Sequence, residues 1–378
     1  MDFKSELLHG GAKGDAETGA LSVPIFSAST YNQKDPSKRQ AYDYSRSGNP
    51  TRASLEEYVA ALERGHSAFA FASGMAAIGS VLTGLLSAGD HLVAPLHLYG
   101  GTHRFITQFL KKFAVNHSFA DFRSVESVKA AIRPETKVIL IETPSNPLMQ
   151  VTDIKAVIAL AKSRGIYTVF DNTFLTPLLF RPIEHGADVV VHSATKFLGG
   201  HSDLIAGIAT AANKEVASKI YFVQNGFGAV LSPENSWTLI RGIKTLSARL
   251  NAEEQSARII AEELTKRKYI AEVRYPGLVS HEGHELLKSY SSGFGAVLSF
   301  RVDSMATLDR IIKNVKLMAV AVSLGGVESI LSWPAKMSHA AIPAAERAAL
   351  GITDDWLRLS VGLEAPEDLL KDLDTAAV

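Results

Sequence analysis

Short apolar runs separated by helix-length segments dominate the chain between residues 51 and 230. Runs without polar interruption are typical of strands that are buried on both faces of a parallel sheet. The segments between them, such as 152–164, are long enough for helices that cover the sheet. The pattern therefore predicts an α/β domain with a mostly parallel sheet. We assign its strands to 68–72, 91–94, 138–141, 167–170 and 188–191.

The pattern changes on both sides of this region. Residues 1–50 show little periodicity and many turn formers, which indicates an arm rather than a compact unit. After residue 230, an amphipathic helix over 234–267 precedes two further apolar runs, 296–300 and 357–361, which predicts a smaller α+β domain. A chain of 378 residues also exceeds the size at which a single core keeps growing. We therefore divide the chain into an N-terminal arm (1–50), a large domain (51–230) and a C-terminal domain (231–378).

Composition narrows the class of partner. Lys plus Arg and Asp plus Glu both number 39, so no global field draws the protein to nucleic acid or to an anionic membrane. The absence of cysteine excludes disulfides and cysteine nucleophiles, and fits a reducing cytoplasm. Charged residues and glycines near the start do not favour a signal peptide, and no apolar run reaches the roughly 18 residues that a membrane span needs. We expect a cytoplasmic protein whose partners are small molecules and other subunits.

Metal binding receives little support from the sequence. His281 and His284 are three residues apart in a polar stretch, without a third ligand nearby. We expect a surface loop there and no metal cofactor.

Open parallel sheets bind ligands beyond the carboxyl ends of their strands, so the residues that follow the apolar runs are candidates for chemistry. After the run at 68–72, Ser73, Gly74 and Met75 begin a helix-forming segment. Small residues at a helix N-terminus let backbone N–H groups approach a phosphate. The alternative is an ordinary tight turn between a strand and a helix.

Two charged residues follow the predicted strands at 167–170 and 188–191. Asp171 either caps a helix or pairs with a protonated ring nitrogen. Lys196 is either a solvated loop lysine or an amine whose pKa is lowered enough for nucleophilic attack. Because neighbouring strands lie about 4.8 Å apart, both side chains can reach one ring. A phosphate site, an acid for a ring nitrogen and a lysine for an aldehyde together indicate pyridoxal 5′-phosphate (PLP).

Ordered motifs extend along nearly the whole chain. They are YDYSRSGNPTR at 42–52, SGMA at 73–76, YGGT at 99–102, ETPSNP at 142–147, DNT at 171–173, HSATKF at 192–197, GHSD at 200–203, SLGG at 323–326 and RLSVGLE at 358–364. In this order they resemble the Cys/Met-metabolism, or cystathionine γ-synthase-like, family of PLP-dependent enzymes, and most of all its cystathionine γ-lyases and β-lyases. The resemblance implies fold-type I: a large domain with a mostly parallel sheet and a smaller C-terminal α+β domain.

The resemblance also implies cofactor contacts. Lys196 would hold PLP as a Schiff base, Asp171 would pair with the pyridinium nitrogen, and Tyr99 would stack on the ring. Asn146 would lie near the ring hydroxyl. The phosphate would be bound by the backbone of Gly74 and Met75 and by the side chains of Ser193 and Thr195.

The same resemblance implies a role for the N-terminal arm. Tyr44 and Arg46 would reach the phosphate in the neighbouring subunit, so the arm would cross a dimer interface. The family is usually a tetramer made of two such dimers, and we expect a homotetramer here.

Five residues would contact the substrate. Arg358 would bind the α-carboxylate, because its planar fork suits bidentate recognition; the alternative is an outward-facing charge on an edge strand. Ser323, through its backbone or hydroxyl, and Asn146 would assist. Arg104 and His339 would line the distal end of the site, and their alternatives are a surface helix charge and a loop histidine.

Members of the family share almost every catalytic residue, so the type of reaction must be judged from a few other positions. Lys196 would remove the Cα proton, and Tyr99 would be the acid toward the leaving sulfur. Many γ-lyases and γ-synthases carry Glu just before SLGG, where this chain has Val322, which allows β-elimination. Methionine γ-lyases carry a cysteine where this chain has Gly101, so the sequence does not favour a methionine γ-lyase.

We therefore expect a PLP-dependent carbon–sulfur lyase that cleaves L-cystathionine. Gamma-elimination to cysteine, 2-oxobutyrate and ammonia is favoured, with β-elimination as a side activity. The alternatives within the family are a cystathionine β-lyase and a cystathionine γ-synthase or O-acetylhomoserine thiolyase. A nicotinamide-dependent oxidoreductase lacks its glycine fingerprint here and would leave Lys196 without a role. A non-catalytic oligomeric binding protein built on this fold is a further alternative.

Overall fold

The computed structural model describes residues 1–11, 14–38, 40–340 and 342–378. Its strands are β1 (Ser67–Phe71), β2 (His91–Pro95), β3 (Asn116–Ala120), β4 (Thr136–Glu142), β5 (Tyr167–Asp171), β6 (Val189–His192), β7 (Gly207–Ala211), β8 (Ile270–Arg274), β9 (Val297–Val302), β10 (Ala319–Val320), β11 (Ile330–Ser332) and β12 (Trp356–Ser360).

The α-helices are α1 (Phe3–His9), α2 (Pro50–Leu62), α3 (Gly74–Leu85), α4 (Gly100–Arg104), α5 (Val125–Ala131), α6 (Ile154–Ser163), α7 (Thr176–Leu179), α8 (Lys214–Phe227), α9 (Pro233–Lys244), α10 (Leu246–Leu264), α11 (His284–Lys288), α12 (Met305–Asn314), α13 (Ala344–Ala349) and α14 (Pro366–Ala377). A π-helical segment, Phe105–Phe109, continues α4, and 3₁₀ turns occur at Leu110–Phe113, Pro182–His185 and Pro334–Lys336.

The larger sheet has seven strands in the order β1-β7-β6-β5-β4-β2-β3. The strands from β3 to β6 run parallel, whereas β7 runs antiparallel to both β1 and β6. The predicted mostly parallel sheet and its five apolar strands are confirmed. The sequence pattern missed β3, an edge strand with polar residues, and β7, whose small side chains give a weak strand signal.

The smaller sheet has five strands in the order β10-β11-β12-β9-β8. It is antiparallel except for the β10–β11 pair. The runs at 296–300 and 357–361 form β9 and β12, so the predicted α/β fold with a smaller second sheet is confirmed. The boundaries at residues 50 and 230 stay a prediction, although the two sheets use separate parts of the chain, 67–211 and 270–360.

The single long helix predicted over 234–267 is wrong, because Thr245 divides this segment into α9 and α10. The Thr245 hydroxyl donates to the carbonyl of Gly242 and accepts a hydrogen bond from Arg249 Nε. A second Arg249 nitrogen, Nη2, also donates to the Gly242 carbonyl. These side-chain hydrogen bonds replace the regular helical pattern at the break.

The expected surface loop at 281–285 is also wrong in part. His284 is buried at the start of α11, where its ring stacks on Phe294 and Nδ1 lies 2.8 Å from the carbonyl oxygen of Pro276. Stacking and the hydrogen bond offset the cost of burying the imidazole. Within the described residues, no three His, Asp or Glu side chains are grouped as a metal site would need. Likewise, none of the described helices combines the length and apolar character required to cross a membrane.

Candidate active site

A cavity of about 1300 Å³ lies beyond the carboxyl ends of the parallel strands, as the sequence predicted for an open sheet. The large domain contributes the residues after β1, β2, β4, β5 and β6, and the small domain contributes β12 and the loops around β10 and β11. Of the predicted site residues, those that line this cavity are Gly74, Met75, Tyr99, Arg104, Asn146, Asp171, Ser193, Thr195, Lys196, Ser323 and Arg358.

Lys196 lies in the turn after β6 and is half-buried at the cavity wall. Its Nζ donates a 2.6 Å hydrogen bond to the Ser323 hydroxyl. Burial, and after it the positive charge of Arg358, lowers the pKa of Lys196 to about 8. The amine is therefore a stronger nucleophile near neutral pH than an ordinary lysine, and the solvated-loop alternative is wrong.

Asp171 ends β5, and its carboxyl group also faces the cavity. Burial raises the pKa of Asp171, while hydrogen bonds from Thr173 and the nearby His192 act in the opposite direction. Thr173 donates through its N–H and its hydroxyl to the same oxygen, Oδ1, at 3.1 and 2.5 Å. This arrangement leaves Oδ2 for a donor in the cavity, and a cationic partner there would stabilise the carboxylate.

The strand-to-helix turn after β1 could hold an anion. Ser73 caps α3 by accepting the Ala76 N–H, and the N–H groups of Gly74 and Met75 belong to the first turn, where no intrahelical acceptor exists. Gly74 approaches Ser193 so closely that a Cβ would lie 2.8 Å from the Ser193 Cβ and Oγ. Glycine therefore lets the helix N-terminus and the β6 turn meet around a phosphate-sized group.

Arg358 is buried on β12 between two other strands, so the alternative of an outward-facing charge on an edge strand is wrong. Its Nη1 donates to Asn146 Oδ1 at 2.9 Å, and its Nη2 donates to the Ser323 carbonyl at 2.6 Å. Its Nε is buried without a hydrogen-bond partner among the described residues. A guanidinium has five N–H donors, and the two hydrogen bonds to Asn146 and Ser323 leave Nη donors that are suited to a carboxylate.

Sequence reasoning missed Glu142, the last residue of β4, which also lines the cavity. Its two carboxyl oxygens accept the backbone N–H groups of Tyr99 and Asn146, each at 2.9 Å. Burial, and after it the charge of Asp171, raises the pKa of Glu142 to about 8. The sequence contains one signal that could have identified it: Glu142 directly follows an apolar run, as Asp171 does.

Three predicted site residues lie away from this cavity. Tyr44 is exposed on the arm, and Arg46 Nη1 donates to the backbone carbonyl of Asn225 at 2.6 Å. His339 is buried, with Nε2 near the Leu98 carbonyl, and burial lowers its pKa to about 4. Arg104, by contrast, is exposed at the cavity rim. The structure thus places Arg104 in the cavity lining but leaves His339 outside it.

These features fit one cofactor. The cavity holds a lysine with a lowered pKa and a carboxyl group whose Oδ2 has no hydrogen-bond partner among the described residues. It also holds a helix N-terminus close to Ser193, and the Thr195 side chain lines the same cavity. These are the groups that bind the aldehyde, the ring nitrogen and the phosphate of PLP. The fold and the site together define a PLP-dependent enzyme of fold-type I.

Comparison with known proteins identifies the family to which the chain belongs. The family model for Cys/Met metabolism PLP-dependent enzymes matches residues 4–378, and the chain belongs to this family. Cystathionine beta-lyase MetC of Bacillus subtilis (strain 168) is 51% identical over 374 residues, which cover 99% of this chain and 96% of that protein. Cystathionine gamma-lyase of the same strain is 48% identical over 376 residues, with coverage of 100% and 99%.

Comparison with a solved structure supports the same assignment for the fold. Cystathionine gamma-lyase from Lactobacillus plantarum, complexed with L-serine, has a TM-score of 0.97 and 43% sequence identity, with 100% of this chain and 98% of that chain covered. Relatives with a β-lyase name and with a γ-lyase name are thus similar to this chain to nearly the same degree.

Proposed function

We propose that this protein cleaves L-cystathionine, with γ-elimination to cysteine, 2-oxobutyrate and ammonia as its main reaction and β-elimination beside it. One observation carries the proposal: the Lys196 amine and the Arg358 guanidinium meet at Ser323 inside a single cavity. This arrangement offers a base for Cα and a binding group for the α-carboxylate of the same amino acid.

The cofactor, when bound, supplies an electron sink for the negative charge that develops at the substrate Cα. Asp171 would keep the ring nitrogen protonated through its free Oδ2. Lys196 would remove the Cα proton. Because its pKa is about 8, the amine exchanges protons readily near neutral pH, as both γ- and β-elimination require at Cα. In γ-elimination the same amine would also remove a proton at Cβ. Tyr99, which is exposed to the cavity, would protonate the leaving sulfur.

The distal part of the cavity supports a thioether substrate. Ala319, Ala321 and Val322 form an apolar wall, and 62% of Val322 is exposed. Arg104 provides a cation at the rim for a second carboxylate. Position 322 carries no acid that could hold the distal amino group of cystathionine, which supports β-elimination beside γ-elimination.

The assembly is part of the proposal. Tyr44 and Arg46 lie outside the cavity of their own chain, on an arm that we expect to cross to a neighbouring subunit. We infer a homotetramer built from two dimers that share active sites, located in the cytoplasm.

Product analysis tests the reaction. The purified protein and a Lys196→Ala variant are incubated with PLP and L-cystathionine, and the oxo acid is identified by mass. We expect mainly 2-oxobutyrate with cysteine, less pyruvate with homocysteine, and neither from the variant. Pyruvate as the main product would make the protein a β-lyase, an alternative that the 51% identical relative supports. If neither acid forms although PLP binds, the lyase proposal fails and γ-replacement is tested with O-acetylhomoserine and cysteine.

A further inference from the structure

Glu142 joins two segments that are far apart in the chain. Tyr99 precedes α4 in the loop after β2, and Asn146 lies in the loop after β4. One carboxyl oxygen accepts the Tyr99 N–H and the other accepts the Asn146 N–H. The N-terminus of α4 has no side-chain cap of its own, so Glu142 supplies the anchor for the backbone at Tyr99.

Both anchored residues face the cofactor site. The Tyr99 ring is the proposed stacking partner of the cofactor ring and lines the cavity. The Asn146 side chain lies near the proposed ring hydroxyl position and accepts a hydrogen bond from Arg358. A shift of either backbone would therefore move a side chain that orients the ring or the substrate carboxylate.

We propose that Glu142 is a positioning residue that fixes the orientation of the cofactor ring by holding the backbones of Tyr99 and Asn146 together. The inference rests on the proposed roles of these two residues. It does not depend on which carbon–sulfur bond is cleaved, so a failure of the cystathionine assay leaves it intact.

The charge of the site supports this role. Glu142 and Asp171 are direct register partners on β4 and β5. Their proximity helps to raise the pKa of Glu142, and an ionised carboxylate accepts N–H groups more strongly than a neutral carboxyl group. A cationic ring nitrogen beside Asp171 would offset that repulsion. Cofactor binding would then favour the ionised Glu142 and the tighter hold on Tyr99 and Asn146.

The test compares two carboxyl groups, one buried and one half-buried, that accept two backbone N–H groups each. Glu142 is one, and Glu254 on α10 is the other, since it accepts from Phe294 and Gly295 at 3.0 and 3.2 Å, outside the cavity. The variants Glu142→Gln and Glu254→Gln keep the side-chain length, but in each the amide NH₂ faces one of the two donors. Both holoenzymes are measured for PLP affinity, for visible circular dichroism per bound PLP and for melting temperature.

We expect both variants to melt earlier, because each loses one hydrogen bond to a buried donor. Only Glu142→Gln should bind PLP more weakly, by about tenfold, and lose much of the visible circular dichroism, which reports how the ring is held. The Glu254→Gln holoenzyme should match the wild type in both cofactor readouts. If Glu142→Gln melts early but keeps wild-type PLP affinity and visible circular dichroism, Glu142 has only a structural role and the proposal is wrong.

If Glu142→Gln does not fold, hydrogen exchange in the wild-type protein tests the proposal instead. In the holoenzyme, the amides of Tyr99 and Asn146 should be protected from hydrogen exchange as strongly as those of Phe294 and Gly295. Exchange at Tyr99 and Asn146 as fast as in open loops would overturn the proposal.

Discussion

The Lys196 amine is hydrogen-bonded to the hydroxyl of Ser323, 127 residues further along the chain, at 2.6 Å. Ser323 adopts φ +92°, a region that residues with a side chain rarely occupy. This conformation lets one residue of the small domain use both of its oxygens: the hydroxyl accepts from Lys196, and the carbonyl accepts from Arg358. Backbone strain of this kind is typical of functional sites.

Removal of the Ser323 hydroxyl should impair the reaction in two variants that differ in backbone strain. We expect Ser323→Ala and Ser323→Gly to lower kcat/KM by about tenfold each, because both lose the hydrogen bond to the amine. Ser323→Gly should be about 1 kcal/mol more stable than Ser323→Ala, because glycine tolerates φ +92°. Steady-state kinetics and thermal melting measure the two effects. Wild-type kcat/KM in Ser323→Ala would contradict the role of the hydroxyl.

The rate at which the cofactor-free protein takes up PLP should rise with pH and then level off above pH 8. The neutral amine is the nucleophile, and the pKa of Lys196 is lowered to about 8 by burial and by Arg358. The neutral fraction, and with it the rate, should increase roughly tenfold from pH 7 to pH 9. Stopped-flow absorbance measures the rate. An ordinary lysine would instead give about a hundredfold increase without levelling, which would disprove the lowered pKa.

Substitution of Arg358 by Lys should weaken substrate binding although the charge is kept. Lysine cannot bridge Asn146 and Ser323 or bind a carboxylate with two parallel hydrogen bonds. We expect kcat/KM for L-cystathionine to fall by about a hundredfold, equivalent to roughly 2–3 kcal/mol. The control is Arg301→Lys on the adjacent strand β9, which pairs with Glu272 and Asp355 and should retain wild-type kinetics. Equal effects of the two substitutions would remove Arg358 from the substrate site.

Mixing two inactive variants tests whether active sites are shared between subunits. Lys196→Ala and Arg46→Ala should each have little activity alone. When the two are unfolded and refolded together, a hybrid dimer has one site with both native residues, provided that Arg46 acts across the interface. Random pairing then restores about a quarter of the wild-type activity. If no activity returns on mixing, Arg46 acts within its own subunit or not at all.

Gly200 supports the lysine turn through close packing. A Cβ at Gly200 would lie 2.1 Å from Arg249 Nη1, and the residue has φ +75°. Arg249 cannot move freely, since its Nη2 donates to the Phe197 carbonyl at 2.8 Å, next to Lys196. We expect Gly200→Ala to cost about 2–3 kcal/mol of the free energy of unfolding.

The matched control for this substitution is Gly89→Ala. Gly89 has φ +89°, but no atom lies within 4 Å of the position that an alanine methyl group would take, so only about 1 kcal/mol should be lost. Denaturant unfolding of both variants separates backbone strain from the contact. Equal losses would show that the Arg249 contact does not matter.

The amino-acid sequence determined the large sheet and much of the site. Strands buried on both faces need unbroken apolar runs, and these marked β1, β2, β4, β5 and β6 directly. The same rule pointed to Asp171 and Lys196, because a ligand site lies where such strands end. Motifs within single segments also pointed to the turn at Gly74, which is the proposed phosphate site.

Tertiary structure decided what depends on contacts between distant segments. The burial of Arg358 in a central strand and the link between Lys196 and Ser323 each require a partner that local sequence does not specify. Glu142 was missed although it follows an apolar run directly, because its proposed role depends on backbone N–H groups 43 and 4 residues away, in loops whose positions are fixed only by packing. The local sequence pattern indicates which faces of a helix or strand are buried. The hydrogen-bond partner of each polar group depends instead on how distant segments pack in the folded chain.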